Sequence, residues 1–294
     1  PTIRFCKLRA MSNNQVAVVT GANKGLGFAI VKGLCERFKG STVYLTSRDD
    51  ERGRNACKKL EDAGLTPQYH QLDVTNNESV FKFITFLRER HGKIDLLINN
   101  AGVLFLKDAK ETKLQQAEQT ILVNLVSLVT FTEAILPLIK DNGKIINISS
   151  SSGHLSRIPS DELKMKFSSP DLTVEGLFKL SIDYIESVKL NKEVEMGWGN
   201  SPYVVSKVGV NAYTFMLNRT LSARGIVVNC VHPGYVMSDM TRGAGSVTPE
   251  QAAAVPLKLA LDPQGTPGGL FVWHNGQVVS WDGPDPRGYI DGKA

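Results

Sequence analysis

Short runs of apolar, β-branched residues alternate along this chain with longer amphipathic stretches. The runs fall at 16–20, 42–46, 68–72, 94–99, 144–149, 226–231 and 270–273. Between most of them, at 26–38, 51–63, 78–91 and 114–138, apolar positions recur with helical period. Repeated strand–helix alternation predicts a parallel sheet covered on both faces by right-handed crossovers, a doubly wound α/β fold. The chain shows no repeat, low-complexity tract or linker, so 15–294 is expected to form one domain. The alternation fails once. Residues 154–200 are polar and irregular, although Leu177, Leu180, Tyr184 and Val188 hold helical spacing within 172–189. This stretch is expected to be a helical insertion.

The most apolar segment, 121–139, is interrupted by Asn124, Ser127, Thr130, Thr132 and Glu133, and reads as a buried helix, not a membrane span. The first ten residues carry Arg4, Lys7 and Arg9 but no acid, and Met11 follows. Residues 1–14 are therefore expected to be a leader or tag outside the fold. At 294 residues and 42% apolar, the chain can bury a large core. The excess of 34 Lys+Arg over 29 Asp+Glu is dispersed, with no basic tract interleaved with aromatics, so nucleic acid is not an expected partner. Cys6, Cys35, Cys57 and Cys230 are scattered, with no C-x-x-C pair and no histidine at ligand spacing. That pattern points to reduced thiols in a cytoplasmic protein and to no metal.

Chemistry enters at the first strand–helix junction, Thr20-Gly-Ala-Asn-Lys-Gly-Leu-Gly27. Gly21 suits a tight turn, while Gly25 and Gly27 let backbone and helix approach a pyrophosphate, as in Rossmann-type dinucleotide sites. Asn23, Lys24 and Leu26 complete this candidate cofactor turn. Where an acid commonly ends the second strand to bind ribose hydroxyls, this chain has Ser47-Arg48. Arg48, with Lys24, suits a 2′-phosphate and favours NADP(H). Asp49 and Asp50 follow directly, and a shift in register would bring an acid to the ribose instead.

Far downstream, Tyr203 and Lys207 follow Ser201-Pro202, a helix cap and first-turn pair. Their i, i+4 spacing sets a phenol and an ammonium on one helix face. A carbonyl gaining two electrons develops negative charge on oxygen, and a phenol becomes a competent proton donor when a cation favours its ionised form. Three more clusters follow successive strands: Asn99-Asn100-Ala101-Gly102, Asn147-Ile-Ser-Ser150-Ser-Ser-Gly153, and Pro233-Gly234. In a parallel sheet each falls at a carboxyl edge, where open α/β sheets bind ligands.

These motifs, in this order, resemble the short-chain dehydrogenase/reductase family across residues 15 to about 275. The resemblance implies Tyr203 as proton donor, Lys207 as the residue that lowers its pKa and binds the nicotinamide ribose, and Ser150 as the hydrogen-bond partner of the substrate carbonyl. Ser149 competes with Ser150 for that role. It also implies that Asn124 holds a proton-relay water, that Asp73 and Val74 meet the adenine, and that Asn100, Ala101 and Gly102 flank the cofactor. Pro233, Gly234 and Val236 would close over the nicotinamide. The 53 positions between Ser150 and Tyr203, with Pro233-Gly-Tyr-Val-Met-Ser-Asp-Met240, look like the monomeric NADPH carbonyl reductases, which reduce quinones and aromatic ketones. His232 and Tyr235 depart from vertebrate relatives, which carry cysteine and tryptophan there, and His232 is expected to pack or line the pocket. The resemblance thus implies an NADPH-dependent carbonyl reductase acting on a small carbonyl substrate. Two alternatives remain: a hydroxysteroid, prostaglandin or terpenoid alcohol dehydrogenase, and a non-catalytic NADPH-binding regulator. The insertion is expected to cover the helix beginning near Leu114 and keep the protein monomeric.

Overall fold

The computed structural model describes residues 15–38, 40–262 and 265–292; the expected leader, 1–14, and Cys6 within it lie outside the described residues. The chain opens with β1 (Val16–Val19), α1 (Gly25–Arg37), β2 (Thr42–Ser47), α2 (Asp50–Asp62), β3 (Gln68–Gln71), α3 (Asn77–His91) and β4 (Ile94–Asn99). A long helix follows in two parts, α4 (Lys113–Ile121) and α5 (Ser127–Ile135), joined by a widened π turn at Leu122–Val126. Next come β5 (Ile139–Ile148), α6 (Asp161–Ser168), α7 (Val174–Lys189), α8 (Pro202–Leu221) and β6 (Val227–Val231). The chain closes with α9 (Pro249–Leu261), β7 (Phe271–Val272), β8 (Val278–Val279) and α10 (Pro286–Tyr289).

The strands lie in the order β3-β2-β1-β4-β5-β6-β7-β8, parallel from β3 through β7 with β8 antiparallel at the edge. The order reverses between β1 and β4, which opens a crevice at their carboxyl ends. Burial on both sheet faces explains the continuous apolar runs. Val16 and Val18 enter one core with α3, α4, α5, α7 and α8. Ala17 and Val19, pointing the other way, enter a second core with α1, α2 and α9. Helix starts are set by side chains that accept from the third backbone N–H, among them Asp49, Asn76, Thr173 and Ser201. Asp49 and Asp50 are thereby committed to α2: Asp49 caps it, and Asp50 pairs with Arg54 at 2.7 Å.

Two features differ from the periodicity. β5 begins at Ile139, not 144, because Ile139 pairs with Ile94 before a register shift accommodates Asp141-Asn142-Gly143. β8 has only two residues, too few to show an alternation.

The insertion forms α6 and α7. α7 packs on α4, and Leu177, Leu180, Tyr184 and Val188 are buried in one core cluster with Ile121 of α4, Leu125 of the π turn and Leu128 of α5. Trp198 closes the insertion, edge-on to Tyr184 and Phe167. Glu193, buried, pairs with Lys113 at the start of α4. The combined helix Lys113–Leu138 is long and apolar enough to cross a membrane, yet 56% of its most apolar window is buried inside the fold, as in a core helix.

Candidate active site

At the end of β1 the chain turns through Gly21 (φ +61°) and Gly25 (φ +56°), conformations that glycine adopts without strain. A side chain on Gly21 would come within 2.8 Å of the Ala101 Cα, and one on Gly27 within 2.5 Å of Asn100 Nδ2. Asn100 ties this turn to β4, donating from Nδ2 to the carbonyls of Thr20 (2.9 Å) and Gly21 (3.0 Å). Thr20 Oγ1 accepts from the backbone N–H of both Asn100 and Ala101. The first turn of α1 has neither a side-chain cap nor an acidic residue, so its N–H groups are available to an anion. The cradle therefore fits a dinucleotide pyrophosphate.

A cavity of about 960 Å³ runs along this edge of the sheet. All the candidate cofactor residues line it: Gly21 and Asn23 through Gly27 of the turn, Arg48, Asp73, Val74, Asn100–Gly102, Tyr203, Lys207 and the Pro233–Val236 segment. Arg48 is exposed at one end, beyond β2. Lys24 is paired with Asp239 at 2.6 Å across the mouth of the cavity. Asp73 turns back on its own loop, accepting from the Thr75 N–H and hydroxyl. Among the described residues, no three His, Cys, Asp or Glu side chains group to hold a metal.

Toward the other end, α8 presents Tyr203 and Lys207 to the cavity. The Lys207 ammonium donates to the Ile148 carbonyl at 2.8 Å and stands 5.7 Å from the centre of the Tyr203 ring. Burial pushes the Lys207 pKa down to about 8. Burial pushes the Tyr203 phenol up, against a hydrogen bond from Ser150 that lowers it. The two serines part company here. The Ser150 hydroxyl faces Tyr203, whereas Ser149 Oγ is buried with no hydrogen-bond partner, at the spot a Gly153 side chain would need. Gly153 must stay bare, its carbonyl accepting from Asn211 and the Trp281 indole.

Asn124 is the one candidate that does not line the cavity. It is fully buried in the π turn, where Oδ1 accepts from the Val103 N–H (2.7 Å) and Nδ2 donates to the Val103 carbonyl (2.9 Å) and Ser206 Oγ (3.2 Å). Its side chain holds the loop after β4 against α8. His232 packs on Trp273 with ring centres 4.4 Å apart, and it also lines the cavity. Sequence reasoning missed several contributors. A buried ladder runs from Thr132 through Asn99 and Asn147 to Thr214, each step 2.9 Å, and fixes α5 and α8 to the central strands. Arg157 and Ser201 also line the cavity. Only Thr20, just ahead of Gly21, carries a sequence signal for its role.

Comparison with known proteins gives a consistent result. The family model described as short chain dehydrogenase matches residues 15–160 and 187–247, and the gap between them holds α6 and most of α7. The chain is 40% identical over 278 residues to "Carbonyl reductase [NADPH] 1" of Rattus norvegicus, covering 92% of this chain and 99% of that protein. "Carbonyl reductase [NADPH] 3" of the same organism is 40% identical over 258 residues, 86% of this chain and 92% of that one. Among solved structures, salutaridine reductase from Papaver somniferum superposes with a TM-score of 0.80 at 30% identity, covering 87% of this chain and 99% of that chain.

Proposed function

The chain belongs to the short-chain dehydrogenase family, and we propose that it reduces ketones, aldehydes or quinones with NADPH. The observation that carries this reading is the shape of one cavity. It has Arg48 and the uncapped start of α1 at one side, and Tyr203, Lys207 and Ser150 together at the other. The names of the carbonyl reductases it resembles support both the cofactor and the reaction.

When bound, NADPH supplies a hydride equivalent to the carbonyl carbon. The protein handles the oxygen. Ser150 and Tyr203 hold it by hydrogen bonds, and the raised phenol pKa keeps the proton on Tyr203 at neutral pH, ready to be given. As that proton leaves, the nearby Lys207 ammonium favours the phenolate. Asn124 keeps the Val103 loop in place behind the site. Gly21, Gly25 and Gly27 would admit the pyrophosphate, Asp73 and Val74 would hold the adenine, and Pro233, Gly234 and Val236 would hold the nicotinamide. A non-catalytic binder would have no use for the arrangement of Ser150, Tyr203 and Lys207.

The catalytic unit is one domain over 15–294. It works as a monomer, because α7 already covers the face of α4 through which a partner would pair. We place it in the cytoplasm on its free thiols, Cys35, Cys57 and Cys230. Tyr203→Phe tests the chemistry: NADPH consumption with a quinone should fall by about 10²–10⁴-fold, the range for general acid catalysis, while NADPH affinity barely changes. Turnover within tenfold of wild type would remove Tyr203 from its role.

A further inference from the structure

Among the charged groups that line the cavity, Lys24 and Asp239 pair with each other, Asp73 is bonded within its loop, Lys207 is tied to the Ile148 carbonyl, and Arg48 is exposed to solvent. Arg157 differs. Its Nε is buried and has no hydrogen-bond partner, and its guanidinium makes no ion pair among the described residues. It ends the short turn Leu155–Arg157, which follows the Ser150–Gly153 motif and packs against α8, at the catalytic end of the cavity away from Arg48. The turn is held firmly. His154 bonds to the Ser280 carbonyl at 2.9 Å, and the Leu155 N–H donates to the Trp281 carbonyl at 3.1 Å.

The charges acting on Arg157 are Arg287 and Asp285. Asp285 is already taken, since Arg287 forks onto both of its oxygens, with Nε at 3.0 and 3.1 Å, and Ser156 donates to one of them. Two guanidiniums thus share one carboxylate. Arg157, which lines the cavity, has its charge only partly offset by the shared Asp285 and keeps an unpaired buried N–H, which is costly. A planar guanidinium is matched by a planar carboxylate.

We propose that Arg157 is a specificity-determining residue that pairs with a carboxylate on the substrate, so that the cavity selects carbonyl compounds bearing an acid group away from the reacting carbonyl. This rests on the carbonyl-reducing reading above. The test separates binding from turnover. Acid and methyl-ester pairs of two lengths, built on 4-formylbenzoate and 4-formylcinnamate, serve as substrates. The corresponding benzylic alcohols are titrated calorimetrically into NADP-saturated enzyme. Wild type should bind the better-fitting acid at least tenfold more tightly than its ester, with the same preference in kcat/KM. Arg157→Met should remove the difference, and Arg157→Lys should restore part of it. Arg157→Gln replaces the methionine variant if that one does not fold. Equal binding of acid and ester at both lengths, or an acid preference surviving within threefold in the uncharged variant, would overturn the proposal. Failure to reduce any of the four aldehydes would count against the reductase reading and the proposal with it, whereas reduction of acid and ester with equal kcat/KM and equal affinity would overturn the Arg157 assignment alone.

Discussion

Asn124→Ala tests whether the π turn influences the reaction from behind the cavity wall. The side chain it removes is fully buried and makes hydrogen bonds of 2.7 and 2.9 Å to the Val103 backbone and 3.2 Å to Ser206. Ser206 keeps its own donation to the Tyr203 carbonyl at 2.8 Å, so the loss falls on the N–H and C=O of Val103. Each buried polar group left unpaired costs about 1–3 kcal/mol, so the two together cost at most about 6 kcal/mol. Val103 is only half-buried, and water that reaches the loop offsets part of this, leaving about 2–3 kcal/mol. At about 2–4 °C per kcal/mol for a domain of this size, the melting temperature should drop by roughly 4–12 °C. Thermal melting and steady-state kinetics on the same preparation provide the assay. With Val103 and Leu104 loosened at the cavity wall, KM for the carbonyl substrate should rise several-fold while NADPH affinity changes less. A variant that melts with wild type yet loses kcat would refute the argument, because Asn124 would then act on the chemistry and not through Val103.

Arg48→Ala should weaken NADPH by roughly 1.5–3 kcal/mol, the range for hydrogen bonds to charged groups, and leave NADH nearly unchanged; parallel losses would dismiss the 2′-phosphate assignment. Asp239→Asn releases Lys24 from an exposed pair, so NADPH should tighten by no more than about 1 kcal/mol. Because burial sets the free-enzyme Lys207 pKa at about 8, the ammonium is present below that pH and lost above it. The kcat/KM for NADPH should accordingly fall as pH rises past about 8, and a profile flat to about pH 10 would contradict this. Light scattering at micromolar concentration should find a monomer, while Leu180→Asp, which strips the α7 cover from α4, should associate or unfold. A stable dimer of the intact chain would end the self-covering idea.

The features legible in the sequence were those whose cause is local. Two-faced burial writes continuous apolar runs into the strands, a tight phosphate turn demands glycine at 21, 25 and 27, and one helical turn sets Tyr203 beside Lys207. The α7 stripe was legible for the same reason, since its period is contained within the helix. Asp49 and Asp50 remained ambiguous only until α2 formed, when capping and the Arg54 pair claimed them. Other features depend on residues far apart in the chain. Ser149 and Ser150 are chemically identical neighbours, and what separates them is that Ser149 is buried in the space a bare Gly153 leaves while Ser150 faces Tyr203. Asn124 looks like a polar break in an apolar helix until the loop at Val103 folds against it. Lys24 meets Asp239 across 215 positions, and Arg157 shares Asp285 with Arg287, which holds both of its oxygens. β8 exists because β7 offers it an edge. Propensity and periodicity act over a turn or a strand and so can be read along the chain; hydrogen-bond and charge pairing are settled by which distant side chains the packed core brings within about 3 Å of each other, and that only the tertiary structure decided.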